Sequence, residues 1–266
     1  MKLINYKNLD NLDLQSMTKE ILDEVACVGY VIIRNTGFDL DDTCKEQLLN
    51  FCRHLGQLVP HNYKADSLIW DIKSVKHPQS TFITHSERNV AAELHTDSTF
   101  SDDPEDFFCL YTIKKSDCGG GESLLLSASD LLKELRSTDD GRQAEEVLRT
   151  KAFPFAVPTV FKKEVDVEHE HNDGLILTEA AIRFRGDTIE ESINRSPSLV
   201  DSSQIKALNT LQNLLRSSTL IKRIMMEPGD LILINNKTML HGRTGFNDKS
   251  RHLLRVRVRL RKSTHS

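Results

Sequence analysis

Nowhere in this chain do roughly 18 apolar residues run together, the length a membrane-spanning helix needs, so no membrane span is expected. The first residues, Met-Lys-Leu-Ile-Asn-Tyr-Lys-Asn, hold no apolar run of signal-peptide length. An excess of one charge is also lacking. A net charge of -4 over 266 residues gives no reason to expect nucleic acid or an anionic membrane as a partner. The five cysteines, Cys27, Cys44, Cys52, Cys109 and Cys118, are odd in number and no pair has CxxC spacing. A disulfide framework and a cysteine zinc site are therefore disfavoured. Reduced, mostly buried thiols in a cytoplasmic protein are the expected state. No internal repeat, low-complexity tract or linker-like shift divides the chain, which predicts one domain over residues 1–266.

What is present is an ordinary globular composition, 38% hydrophobic and 28% charged, enough to bury a core. Residues 17–28 read as a helix. Gly29 to Arg34 reads as a buried strand closed by the turn Asn35-Thr36-Gly37. Cys44, Leu48, Cys52 and Leu55 fall at helical spacing and end at Gly56. Phe107 to Ile113 and Leu124 to Leu126 read as strands around the break Gly119-Gly120-Gly121, with a helix from Ser129 to Leu135. Residues 137–220 are less legible. An acidic stretch from Glu164 to Asp173 reads as a loop, and Ile205, Leu208, Leu211 and Leu215 mark one helix. Ile221 to Met226 and Leu231 to Ile234 read as strands joined by Pro228-Gly229-Asp230. In the last strand Leu254, Val256, Val258 and Leu260 alternate with Arg255, Arg257 and Arg259, a period of two with unlike faces. Early helices followed by many short strands disfavour a doubly wound sheet. They predict a mainly β fold with flanking helices, a double-stranded β-helix or jelly roll with its core over residues 29–260.

Glu93-Leu94-His95-Thr96-Asp97-Ser98 carries the chemistry. On a strand, His95 and Asp97 would project to one face, so an imidazole and a carboxylate could converge on one ion. A third ligand must come from elsewhere, and His241 in Leu240-His241-Gly242-Arg243 is the best candidate, with Gly242 letting the backbone bend just after it. Two histidines and a carboxylate form the facial triad of non-haem iron(II) oxygenases, which leaves positions open for cosubstrate and O2. A tetrahedral zinc site could use the same residues. Among the ten histidines, His61, His85, His169 and His171 are rival candidates, the last two in a Glu-rich segment that reads as solvated. Arg251 and Arg255 follow His241 by ten and fourteen positions. A dicarboxylate bound to metal at one end needs a cation at the other, and the planar fork of arginine suits that task. Ser123 could add a hydroxyl. For Arg257 and Arg259 the favoured reading is a solvated outer face of an edge strand. Arg183 and Arg185 alternate on a predicted strand that could reach the same pocket.

Several segments, in order, resemble the iron(II)/2-oxoglutarate dioxygenases of the taurine dioxygenase and clavaminate synthase-like superfamily. They are Gly29 to Arg34, Leu55-Gly56-Gln57-Leu58-Val59-Pro60-His61, Leu94-His95-Thr96-Asp97 and Gly120-Gly121-Glu122-Ser123, then Pro228-Gly229-Asp230, Asn236 to Phe246 and Arg251-His252-Leu253-Leu254-Arg255. The resemblance implies that His95, Asp97 and His241 hold iron(II). Arg251 would bind the far carboxylate of 2-oxoglutarate with help from Ser123, and Arg255 would face an acidic group of the primary substrate. The loop between His241 and Arg251 is shorter than in clavaminate synthase-like members, which leaves both Arg251 and Arg255 as candidates for 2-oxoglutarate. A carboxylate at Asp97, where family halogenases carry a small residue, implies hydroxylation with O2 as oxidant. Desaturation, cyclisation and epimerisation are other outcomes of the same chemistry. The His-Gly-Arg block and Arg255 lean toward a small-molecule substrate, a free amino acid or similar zwitterion. Two other classes use the same ligands: a zinc hydrolase, which would need a general base that Glu93 is placed wrongly to supply, and a non-catalytic metal-binding jelly-roll module.

Overall fold

The computed structural model describes residues 3–5, 14–61, 67–73, 89–158, 170–247 and 250–261. The apolar run Tyr30–Arg34 (β2) is buried on both faces, as a central strand of a covered sheet must be. It pairs in parallel with Leu3–Asn5 (β1) and antiparallel with Leu231–Asn235 (β11). Beyond β11 the large sheet continues through Phe107–Lys114 (β6) and His252–Arg259 (β13) to Gln57–Val59 (β3), and Trp70–Lys73 (β4) also pairs with β13. The smaller sheet has the order Lys222–Ile224 (β10), Ser123–Ser127 (β7), Met239–Arg243 (β12) and Ala92–His95 (β5). The two sheets face each other as a jelly roll with helices outside.

Three apolar layers follow from this arrangement. Leu14–Val28 (α1) buries Met17, Ile21 and Val25, one side of a helix at a spacing of four. Cys44–Leu55 (α2) does the same with Cys44, Leu48, Phe51, Cys52 and Leu55. Both cover the outer face of the large sheet, against Val31, Ile33, Cys109, Tyr111, Leu254, Val256 and Val258. On the far side, Ala128–Leu135 (α3), Asp139–Thr150 (α4), Gly186–Arg195 (α5) and Ser202–Ser217 (α6) cover the outer face of the small sheet together with the hairpin Ala152–Ala156 (β8) and His171–Leu175 (β9). Between the sheets lie Ile32, Phe108, Leu125, Ile232, Ile234 and Met239. Leu94 and Leu240 belong to the outer layer of the small sheet. Their neighbours His95 and His241 must then point inward, because successive side chains on a strand alternate.

The cysteines are all free thiols; Cys44, Cys52 and Cys109 are buried, and Cys27 and Cys118 are exposed. Burial pushes Cys44 up to about 11, so it is an inert, protonated core residue. The predicted loop from Glu164 to Asp173 is corrected in part. Residues 164–169 lie outside the described residues, but His171, Asn172 and Asp173 stand on β9, paired with Ala156, Phe155 and Pro154.

Candidate metal centre

β5 and β12 are neighbours, and His95 pairs directly with His241 across the ladder. Opposed residues share a face of the sheet. Register alone therefore brings the two imidazoles together, with ring centroids 4.4 Å apart. A bulge interrupts the ladder between His241 and Arg243, where Arg243 opposes Ala92. Gly242 is required there less for a bend than for a close approach: a Cβ would come within 2.7 Å of the Ala92 carbonyl oxygen.

Asp97 lies two residues beyond the end of β5, so strand alternation does not aim its carboxylate. The chain turns at Ser98, whose φ of 52° is in the left-handed region. Asn236, a buried residue after β11, holds the turn. Its Oδ1 accepts from the Asp97 N–H at 2.8 Å, and its Nδ2 donates to the carbonyls of Asp97 and Glu105, each at 3.2 Å. The Thr96 N–H donates to the Phe184 carbonyl at 2.7 Å, and the Phe184 N–H returns a bond to Thr96 Oγ1 at 3.0 Å.

His95 Nε2 lies 3.7 Å from Asp97 Oδ1, and His241 Nε2 lies 3.2 Å from Asp97 Oδ2. One ligand atom from each residue falls within 4.8 Å of the others. His95 Nδ1 is 2.7 Å from the Glu93 carbonyl oxygen. A carbonyl only accepts, so Nδ1 carries the proton and Nε2 presents its lone pair. Burial, aided by the cation of Arg185, lowers His241 to about 3. Burial, then the neighbouring His241 and Arg185, holds His95 well below the usual imidazole range. Neutral imidazole is the form that ligates metal. His241 Nε2 and Asp97 Oδ2 are both buried without a well-formed hydrogen bond among the described residues. Asp97 has the Arg255 guanidinium as a counter-charge, but a neutral imidazole nitrogen buried without a hydrogen bond is unfavourable, and one divalent cation between the imidazoles and the carboxylate supplies what His241 Nε2 lacks. The residues present fit such an ion.

The expected solvated face of Arg257 is overturned. The covered outer face of β13 is the apolar one, and its arginine face looks into the space between the sheets. Arg255 stacks on Phe108 at 4.4 Å and forms an ion pair with Asp97. Arg257 is buried, with Nε 2.9 Å from Glu105 Oε1, and Arg255 lies 3.9 Å from the same oxygen. Glu105 is 2% exposed. Buried arginines are tolerable only when so matched. Arg259, at the strand end, is partly exposed with Nε 3.4 Å from Asp103 Oδ2. Phe108 also packs against His241, with centroids 4.5 Å apart. Sequence alone assigns no role to Phe108 or Glu105, and it marks Asn236 only as the first residue of the Asn236 to Phe246 block, without a role.

Arg251 precedes β13 and Ser123 opens β7. The structure brings both to one recess, where Thr112, Ser116, Lys115 and Met226 also line the wall. Arg255 is not part of that wall. The Arg251 stem packs over Gly121, where a Cβ would meet its Cδ and Nε at 3.1 Å, and its guanidinium lies 5.4 Å from the Phe246 ring centre.

The other described histidine candidates are not brought to the cluster. His61 is buried with Nε2 3.0 Å from the Arg255 carbonyl, and His171 sits on β9 with Nε2 3.7 Å from Asp173 Oδ1. His85 and His169 lie outside the described residues. The strand predicted around Arg183 and Arg185 reduces to an isolated bridge between Ile182 and Leu177. Arg183 donates to the Thr99 carbonyl at 2.5 Å, while Arg185 pairs with Asp187 at 3.0 Å at the start of α5 and lies near enough for its charge to act on His95 and His241. Glu93 is exposed, 3.6 Å from Arg216, so it is no general base for a hydrolytic site.

The family profile described as taurine catabolism dioxygenase TauD, TfdA family matches residues 3–257. The chain belongs to that family. It is 24% identical over 252 residues to dioxygenase str8 of Strobilurus tenacellus, covering 91% of this chain and 54% of that protein. It thus spans about half the length of that relative. It is 28% identical over 249 residues to glutarate 2-hydroxylase of Citrobacter koseri, covering 91% of this chain and 70% of that protein. The solved asparagine oxygenase in complex with Fe(II), 2S,3S-3-hydroxyasparagine and succinate superposes with a TM-score of 0.72 at 17% identity, over 91% of this chain and 79% of that one. That likeness establishes the family's jelly-roll fold here. No described helix is long and apolar enough to cross a membrane.

Proposed function

We propose that residues 1–266 form one cytoplasmic oxygenase domain that uses iron(II), 2-oxoglutarate and O2 to hydroxylate an unactivated C–H bond of a small substrate, a free amino acid or similar zwitterion. The observation that carries this reading is the buried cluster of His95 Nε2, His241 Nε2 and the Asp97 carboxylate. Membership of a dioxygenase family supports it. So do a relative named as a hydroxylase of a small dicarboxylate and a structural neighbour solved with Fe(II), a hydroxylated amino acid and succinate.

His95, Asp97 and His241 are the residues that would hold the metal. When bound, iron(II) supplies the redox chemistry that couples O2 and 2-oxoglutarate consumption to C–H oxidation. The protein's own work is binding, orientation and exclusion of water. The Glu93 carbonyl fixes the His95 ring, and Asn236 fixes the Asp97 backbone. Arg251, with Ser123, binds the far carboxylate of 2-oxoglutarate in the recess they share; the separation of Arg255 from that recess supports this choice between the two arginines. Arg255 orients an acidic group of the substrate beside the metal. Phe108 shields the His241 ring from water.

The test is succinate formation by the iron-loaded protein with a panel of L-amino acids. Coupled hydroxylation of one or more members supports the reading. Coupling only with sulfonates or aryloxy acids would overturn the substrate class, and no succinate with any substrate would overturn the reaction.

A further inference from the structure

We infer that Thr112 is a third binding residue, with Arg251 and Ser123, for the distal carboxylate of the 2-oxo acid; this rests on reading their shared recess as the cosubstrate pocket. Along β6, Phe107, Cys109 and Tyr111 pack against the α1–α2 layer. Phe108, Leu110 and Thr112 therefore face the space between the sheets. Phe108 marks the metal end, against His241. Thr112 lies two inward positions further along, opposite Leu253 and close to the point where Arg251 enters β13. It lines the same recess as Arg251 and Ser123.

Its backbone is fully engaged. The N–H donates to the Asp230 carbonyl at 2.9 Å, and its carbonyl accepts from Gly229 at 2.8 Å. The side chain is not. Thr112 is 1% exposed, and its Oγ1 has no hydrogen-bond partner among the described residues. A buried, unpaired hydroxyl is unfavourable. Valine would fill the same volume on a strand without that penalty, so packing gives no reason for threonine. A ligand that accepts a hydrogen bond supplies the reason. The cationic Arg251 beside it makes that acceptor an anion. A carboxylate has enough lone pairs to take the arginine fork and two hydroxyls at once.

The experiment is anaerobic calorimetric titration of 2-oxoglutarate into the iron(II)-loaded protein, comparing wild type, Thr112→Val and Thr112→Ser, with iron(II) affinity and Tm measured for each. The expected result is about tenfold weaker 2-oxoglutarate binding in Thr112→Val, the loss of one hydrogen bond to a charged group. Iron(II) affinity stays unchanged and Tm is unchanged or higher. Thr112→Ser, which keeps the hydroxyl, stays within about threefold of wild type on the same argument. Unchanged 2-oxoglutarate binding in Thr112→Val, or equal weakening in Thr112→Ser, overturns the assignment and leaves Thr112 a packing residue. If wild type binds iron(II) but no 2-oxoglutarate, the proposed function itself fails, which is a different result from failure at Thr112 alone.

Discussion

Leu254, Val256 and Val258 on one side of β13 meet α1 and α2; Arg255 and Arg257 on the other meet Asp97, Glu105 and the aromatic ring of Phe108. Both sides are buried. The first is held by removal of apolar surface from water, which is indifferent to direction and tolerant of substitution by similar volumes. The second survives only because each charge has its counter-charge, and its geometry is specific. The same strand thus contributes stability through one face and a prearranged polar site through the other. Changes on the outer face should cost stability alone, whereas changes on the inner face should cost function, and stability as well where a buried charge loses its counter-charge.

The largest separation is expected at Asp97. Asp97→Ala removes one of three metal ligands together with the partner of Arg255. It should abolish iron(II) retention and turnover, a loss of at least about a thousandfold on the scale of a removed reacting group. Its far-UV circular dichroism should stay native. Near-wild-type hydroxylation by this variant would remove the triad assignment.

Glu105→Gln probes the other half of the inner face. It leaves Arg257 buried without its counter-charge and should destabilise by about 3–5 kcal/mol in urea unfolding, the range for breaking one side of a buried pair. The double change Glu105→Gln with Arg257→Met should recover much of that loss. If the single change is neutral, the network is not holding the arginines. Leu254→Ala on the outer face should cost about 2–5 kcal/mol, with kcat per folded molecule unchanged. A fall in kcat at full folding would show that the faces are not separable.

The smallest effect concerns His61. Burial, then the charges of Arg257 and Arg255, lowers it to about 3, while in the unfolded chain it titrates near the ordinary histidine value of about 6.5. The folded pKa is depressed, so the unfolded state takes up the proton first and stability falls as pH drops from about 6.5 toward 3. His61→Gln should reduce the loss between pH 7 and pH 5 by about 1–2 kcal/mol. Identical pH dependence in wild type and variant would contradict a neutral buried His61.

The cluster of His95, Asp97 and His241 was legible because the HxD pair, the His-Gly-Arg segment and the arginines after it follow one family order; the pair alone does not set these residues apart from His61, His85, His169 and His171. The register that opposes His95 to His241 was not legible, since it depends on which strands become neighbours. Period two in β13 announced two unlike faces without saying which one faces water; that is decided by α1 and α2, far away in the chain. α4 and α5 gave little signal because their buried sides are small or polar: Ala144, Glu145 and Leu148 in one, Thr188, Ile189 and Ser192 in the other. Glu145 is accommodated by Arg136 and Arg149 at 2.7 and 2.9 Å, pairs that no periodicity rule detects. Asp97 was found for a reason that proved incomplete. It reaches the site through a left-handed turn at Ser98 and the amide of Asn236, not through strand alternation.

The most direct test of the account is anaerobic titration of the apoprotein with iron(II) and then 2-oxoglutarate, watching for a weak visible metal-to-ligand charge-transfer band. The account predicts that the band appears in wild type, is absent in His95→Ala, and needs far more 2-oxoglutarate in Arg251→Ala. Iron(II) demonstrably bound at His95, Asp97 and His241 with no band at saturating 2-oxoglutarate would contradict it.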